Sequence, residues 1–123
     1  NEKDYIKKPK ADGYRGIHLV YRYKSDKKST YGGLLIEIQI RSKIQHAWAT
    51  AVETVDLFTR QAIKSNEGEK EWMDFFRLVS AAFAILEGEP QPEGTSTDPG
   101  QLHKEIKKNV DSLRVFSKAS LFI

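Results

Sequence analysis

In the stretch Leu34-Leu35-Ile36-Glu37-Ile38-Gln39-Ile40-Arg41, a carboxylate, an amide and a guanidinium alternate with isoleucines. At the two-residue period of a strand, Ile36, Ile38 and Ile40 share one face, expected to be core, and Glu37, Gln39 and Arg41 share the other. The preceding stretch Arg15-Gly16-Ile17-His18-Leu19-Val20-Tyr21-Arg22-Tyr23 is rich in β-branched and aromatic residues, and Tyr14, His18 and Arg22 share one parity. If the two segments pair, one polar face carries an aromatic ring, an imidazole, a carboxylate, an amide and a guanidinium. Such a set suits a nucleotide and a metal: a ring stacks on a base, cations neutralise phosphates and a carboxylate on a rigid strand holds a divalent ion. A solvent-exposed edge strand alternates in the same way, so spacing alone leaves that plainer reading open.

The elements that must position these residues follow from local signals. Pro9 and Gly13 interrupt any periodicity in residues 1–13, and Lys7, Lys8 and Lys10 crowd together, so an irregular basic entry loop is expected. Two antiparallel strands, about 15–23 and 34–41, are joined by a long polar loop over 24–31 that ends in Gly32-Gly33. Ser42-Lys43-Ile44-Gln45 has the capping-box pattern, which starts a helix over about 43–64 with Ile44, Trp48, Ala51, Val55, Phe58 and Ala62 inward. Ser65-Asn66-Glu67-Gly68 breaks it. A second helix, about 69–87, turns Trp72, Phe75, Phe76, Val79, Phe83 and Leu86 inward. Residues 89–100 are rich in Pro, Gly and Ser or Thr and read as a linker or long loop too poor in apolar residues to pack. Asp98 as cap and Pro99 in the first turn then open a third helix over about 100–118, with Leu102, Ile106, Val110 and Leu113 inward and Lys104, Lys107, Lys108 and Arg114 outward. His46 and Trp48 tempt as ligands, but Trp48 lies on the apolar stripe and reads as core, and His46 as a surface or packing residue.

Composition sets wider bounds. The 123 residues carry a net charge of +3, which favours an anionic ligand without naming one, and the basic excess gathers before residue 29, beside the proposed site. With no cysteine, disulfides and thiolate chemistry are excluded, and a reducing cytoplasm fits. No apolar run approaches the roughly 20 residues of a membrane span. The Gly-rich phosphate loops GxGxxG and GxxxxGKS/T and the zinc motif HExxH are absent. Asn1 is followed within a few residues by dense motifs, so the chain is expected to be a fragment.

Lys3-Asp4-Tyr5-Ile6, Pro9-Lys10, Gly13-Tyr14-Arg15-Gly16-Ile17-His18 and Glu37-Ile38-Gln39-Ile40-Arg41, in this order, resemble the linked blocks KDYI, PK, NGYxSIH and EIQIR of the RelA/SpoT-type (p)ppGpp synthetases, the GTP pyrophosphokinases. The match extends weakly through His46-Ala47-Trp48-Ala49 and covers about the first half of the chain. The resemblance implies an α+β fold, here the C-terminal part of a nucleotidyltransferase-like synthetase domain over 1–88, followed by the linker and a C-terminal helix over 101–123. It implies transfer of the β,γ-pyrophosphate of ATP to the 3′-hydroxyl of GDP or GTP with Mg2+ as cofactor, in a cytoplasmic protein with no membrane partner and a possible homo-oligomer. By position, Tyr14 would stack on guanine with Ala49 close to the base, and Lys3, Lys10 and His18 would bind acceptor phosphates. Glu37 would hold Mg2+ and orient or deprotonate the 3′-hydroxyl, and Gln39 would support it.

Two departures bear on these expectations. Asp12 stands where the family usually has Asn before Gly-Tyr, which removes an amide donor and adds negative charge near the acceptor phosphates. Toxin-like relatives that pyrophosphorylate the 3′ end of tRNA are the alternative, since Ala47-Trp48-Ala49-Thr50-Ala51-Val52-Glu53-Thr54 looks closer to small single-domain members. The family's ATP-binding basic segment and first metal-binding Asp precede the blocks seen here, so the fragment alone is expected to be inactive. A non-catalytic nucleotide- or RNA-binding module is the alternative from another class, and Glu37 discriminates, because such a module has no need of a carboxylate among so many cations.

Overall fold

The computed structural model describes residues 1–24, 32–62 and 67–120, and leaves the side chains of 58–62, 67–69 and 114–120 undescribed. The loop residues 25–31, the helix break at Ser65-Asn66, and the side chains of Phe58, Ala62 and Arg114 therefore lie outside the description. Three strands, β1 (Glu2–Asp4), β2 (Ile17–Arg22) and β3 (Leu35–Ile40), precede three helices, α1 (Lys43–Ala62), α2 (Glu67–Glu87) and α3 (Pro99–Ser120). The sheet is antiparallel throughout in the order β1-β2-β3. The fold is α+β, as expected.

The entry segment is not all loop. Glu2, Lys3 and Asp4 pair with Leu19, His18 and Ile17, and the pairing extends through Tyr5 N–H to the Gly16 carbonyl (2.8 Å) and Val20 N–H to the Asn1 carbonyl (2.9 Å). Three charged residues show no alternation of their own; the open edge of β2 supplies the partner that makes them a strand. Asp4 Oδ1 then accepts the N–H groups of Ile6 and Lys7 at 3.0 Å each and turns the chain out of the sheet.

Capping occurs where expected. Ser42 N–H donates to Gln45 Oε1 (2.9 Å) and Gln45 N–H to Ser42 Oγ (3.1 Å), and Gly100 N–H donates to Asp98 Oδ1 (3.2 Å). Aromatic packing joins α1 to α2: Trp48, Ala49 and Phe76 are buried, with Val52, Val55, Trp72, Phe75, Val79 and Phe83 packed on them. Trp48 Nε1–H donates to the Phe76 carbonyl at 2.7 Å, satisfying the indole in the core. Helix α2 packs on α3, with Ala81, Ala84, Leu102 and Leu113 buried.

Three expectations about burial are corrected. On α1 the inward stripe is Gln45, Trp48, Ala49, Val52 and Val55, and Ala51 is exposed. The stripe is rotated because Gln45, while capping its own helix, also reaches Glu87 Oε1 at 3.4 Å. At the end of α2, Leu86 is exposed and Glu87 turns inward, because the buried guanidinium of Arg15 needs a carboxylate, which it meets at 2.9 Å. The isoleucine face of β3 is not core: Ile36, Ile38 and Ile40 are 43%, 44% and 49% exposed. The described helices pack on one another rather than over this face, and alternation shows which residues share a face but not what covers it.

The connection between α2 and α3 does pack. Pro92 is fully buried, the Glu93 carbonyl accepts from Arg77 Nη2, and Gln91 Nε2 donates to the Ser96 carbonyl (2.8 Å). A proline side chain and backbone polar groups supply contacts that a count of apolar residues does not register.

Candidate active site

The register of β2 and β3 sets His18 opposite Gln39, Val20 opposite Glu37 and Arg22 opposite Leu35, all on one face, with Lys3 of β1 opposite His18. His18 Nδ1 lies 3.1 Å from Glu37 Oε1, and its Nε2 lies 2.7 Å from the Tyr14 hydroxyl. Gln39 Nε2 donates to the same Glu37 Oε1 at 3.2 Å. Aromatic ring, imidazole, carboxylate and amide thus form one connected line. Arg22 stands apart: its guanidinium lies toward Gly33 and makes no contact with Glu37 among the described residues.

The loop before β2 is shaped to deliver Tyr14. Asp12 Oδ1 accepts Tyr14 N–H at 2.9 Å, Gly13 N–H donates to the Lys10 carbonyl at 3.0 Å, and Lys10 N–H to the Tyr14 carbonyl at 3.1 Å. An Asx turn uses only the side-chain oxygen, which Asp and Asn share, so Asp12 serves the turn as Asn would. Gly13 has φ +100°, and a Cβ there would sit 3.1 Å from the Arg77 Cα and 3.0 Å from the Ser80 Cβ. Ser80 Oγ donates to the Gly13 carbonyl, which fastens the turn to α2.

Tyr5 completes an aromatic corner, edge-on to Tyr14 (6.0 Å between centroids) and to His18 (5.3 Å). Lys10 Nζ sits 4.7 Å from the Tyr5 centroid and 5.4 Å from that of Tyr14, so its charge is held at the corner by two ring faces. Tyr5 was not among the candidate residues; the signal available was a second tyrosine after a charged triplet, legible only once β1 is known. Lys3 is exposed on β1 with its backbone paired to His18. Ala49 is buried with Trp48 and Phe76, in the cluster on which Tyr14 packs. His46 is exposed and lines an open depression with Gln39, Arg41, Ser42 and Lys43, an anion-attracting surface next to the site.

Beneath the loop, Arg15 is 2% exposed and its Nη1 bonds Glu87. Burial pushes the Glu87 carboxyl up, but hydrogen bonds from Ser42 and Arg15, the Arg15 charge and a hydrogen bond from Gln45 outweigh it and leave the pKa below the ordinary 4.5. One carboxylate thereby ties the start of β2, the cap of α1 and the end of α2.

Among the described residues no group of three or more His, Asp or Glu side chains is placed to hold a metal. Glu37, half exposed with its contacts on Oε1, can contribute one carboxylate, which suits Mg2+, an ion that keeps waters and takes substrate phosphates as further ligands. Among the described residues no helix is long and apolar enough to cross a membrane.

Residues 1–57 match the model of a region found in RelA/SpoT proteins. The GTP pyrophosphokinase YjbM of Bacillus subtilis (strain 168) is 42% identical over 50 residues, covering 41% of this chain and 24% of the relative. A solved structure of a GTP pyrophosphokinase family protein from Streptococcus pneumoniae superposes with a TM-score of 0.51 at 28% identity, over 72% of this chain and 45% of that one. The chain thus spans less than half the length of either. The blocks that build the Tyr14–His18–Glu37 line all fall within the matched residues, so the candidate site lies in a RelA/SpoT region whose homologues are GTP pyrophosphokinase family proteins.

Proposed function

We propose that the chain is the acceptor-binding, carboxylate-bearing part of an enzyme that moves the β,γ-pyrophosphate of ATP to the 3′-hydroxyl of GDP or GTP, and that these 123 residues alone do not catalyse. The observation that carries this reading is the unbroken line of Tyr14, His18, Glu37 and Gln39 on one sheet face of a GTP pyrophosphokinase homologue. In the reaction the 3′-oxygen attacks the β-phosphorus, the bond to the α-phosphate oxygen breaks, and AMP leaves. Such a transfer needs in-line positioning and charge neutralisation more than covalent help. Bound Mg2+ would supply charge neutralisation at the phosphates, with Glu37 as one of its ligands. Tyr14 offers the acceptor base a platform, Lys3 and Lys10 offer charge to the acceptor phosphates, and Glu37 orients the 3′-hydroxyl and takes its proton.

The test gives full-length protein ATP labelled in the β-phosphate, Mg2+, guanosine nucleotides and deacylated tRNA. Label on GDP or GTP is the expected outcome. Label on tRNA instead would transfer the reading to a translation-blocking toxin, and label on neither to a binding module. Glu37→Gln should abolish transfer while acceptor binding persists, and unchanged turnover would remove Glu37 from the mechanism. Transfer by the isolated 123 residues would refute the claim that they are inactive alone.

A further inference from the structure

We infer that Ser80 of α2 is a positioning residue for the acceptor, setting through the Gly13 carbonyl the tilt of the Tyr14 platform; the inference rests on the pyrophosphotransferase reading. The bonds among Lys10, Asp12, Gly13 and Tyr14 close the turn on itself, which fixes its shape but not its place on the molecule. Its place comes from α2. The Ser80 hydroxyl donates to the Gly13 carbonyl from 67 positions away, and Arg15, on the other flank of Tyr14, reaches Glu87. A long arginine side chain can follow a shifting turn, whereas Ser80 grips the main chain itself, one residue from the platform.

A mid-helix serine ordinarily bonds the carbonyl four residues back or turns to solvent. Here that carbonyl, of Phe76, accepts the Trp48 indole N–H at 2.7 Å, and Ser80 is 2% exposed. Ala81 and Ala84 fill buried positions on the same helix, so packing alone requires no hydroxyl at position 80; the Gly13 carbonyl does. The fit leaves the turn little room, since a Cβ on Gly13 would lie 3.1 Å from the Arg77 Cα and 3.1 Å from Trp48 Cζ2. Trp48, held to α2 by its indole, in turn meets the Tyr14 ring at 6.4 Å between centroids. One turn of α2, residues 76–80, therefore carries two supports of the platform, and it lies outside the residues matched to the RelA/SpoT region.

In Ser80→Ala the turn is released and the acceptor must order it on binding, a cost that falls on binding and not on the chemical step. In the full-length protein the acceptor KM should rise by about 10-fold, with kcat and the ATP KM changed by less than about 3-fold. Ser80→Cys, which keeps a weaker donor, should fall between Ala and the parent. Ala84→Gly loosens the same helix without touching the turn and should leave the acceptor KM within about 2-fold of the parent. A loss carried by kcat, an equal rise in the ATP KM, a Cys variant no better than Ala, or the same acceptor shift in Ala84→Gly would overturn the inference. Hydrogen exchange of the Gly13 and Tyr14 amides, read by NMR without substrate, is independent of turnover. Exchange should quicken by about 10-fold in Ser80→Ala and not in Ala84→Gly. Unchanged exchange in Ser80→Ala would overturn the inference, whereas absence of transfer by the unsubstituted protein would defeat the functional reading alone.

Discussion

Glu87→Gln is the substitution whose effect the structure specifies most fully. Arg15 is 2% exposed, and among the described residues its Nε and Nη2 already lack partners and Glu87 is the carboxylate at its Nη1. Breaking a buried pair costs about 3–5 kcal/mol because the remaining charge is left without compensation. Glu87 is itself 20% exposed, so water relieves part of that cost and the lower end, about 3 kcal/mol, is expected. For a domain of this size the melting temperature should then fall by about 10 °C. The assay is urea unfolding of the 123-residue chain read by tryptophan fluorescence, since Trp48 and Trp72 both lie in the α1–α2 core. Arg15→Met should cost less, because Glu87 keeps Ser42 and Gln45 and reaches solvent, and adding it to Glu87→Gln should recover part of the loss. The pH dependence has a defined sign: the Glu87 pKa is lowered on folding, so its contribution is full above the ordinary 4.5 and is lost as pH falls through the folded-state value. A Glu87→Gln chain within about 0.5 kcal/mol of the parent, the range of an ordinary surface change, would refute the reasoning.

Gly13→Ala should destabilise by about 2 kcal/mol or more, because φ is +100° and the new Cβ meets the backbone of Arg77 at 3.1 Å; a neutral urea midpoint would show that the turn relaxes freely. Asp12→Asn should leave the midpoint within about 0.5 kcal/mol, while Asp12→Ala, which loses the acceptor for Tyr14 N–H, should cost about 1 kcal/mol. Equal effects of Asn and Ala would remove the Asx turn from the account.

Much of the candidate site was legible because it is a local property of two strands. The parity that joins Tyr14 to His18, and Glu37 to Gln39, depends only on the two-residue repeat, and pairing β2 with β3 then brings the imidazole to the carboxylate. The helices were legible through their caps, Ser42 with Gln45 and Asp98 with Pro99. What escaped depends on distant partners. Glu2–Asp4 becomes a strand only against Leu19, His18 and Ile17, and with it Tyr5 enters the site. Glu87 displaces Leu86 as the inward residue of α2 because of an arginine 72 positions earlier in the chain. Helical periodicity does not register such a demand.

The isoleucines of β3 divide the chain into two kinds of apolar residue. Trp48, Phe76 and Leu102 are held to their types by the folding free energy of the chain itself, since removing their buried atoms opens cavities. Ile36, Ile38 and Ile40, at 43–49% exposure, contribute little to that quantity. A mutational screen scored on the folding of these 123 residues would therefore pass lysine at Ile38 as readily as leucine, and would be blind to whatever role that face has beyond local packing. In concentrated solution the same face, on a strand with one outer edge unpaired among the described residues, is where copies of the chain would adhere first.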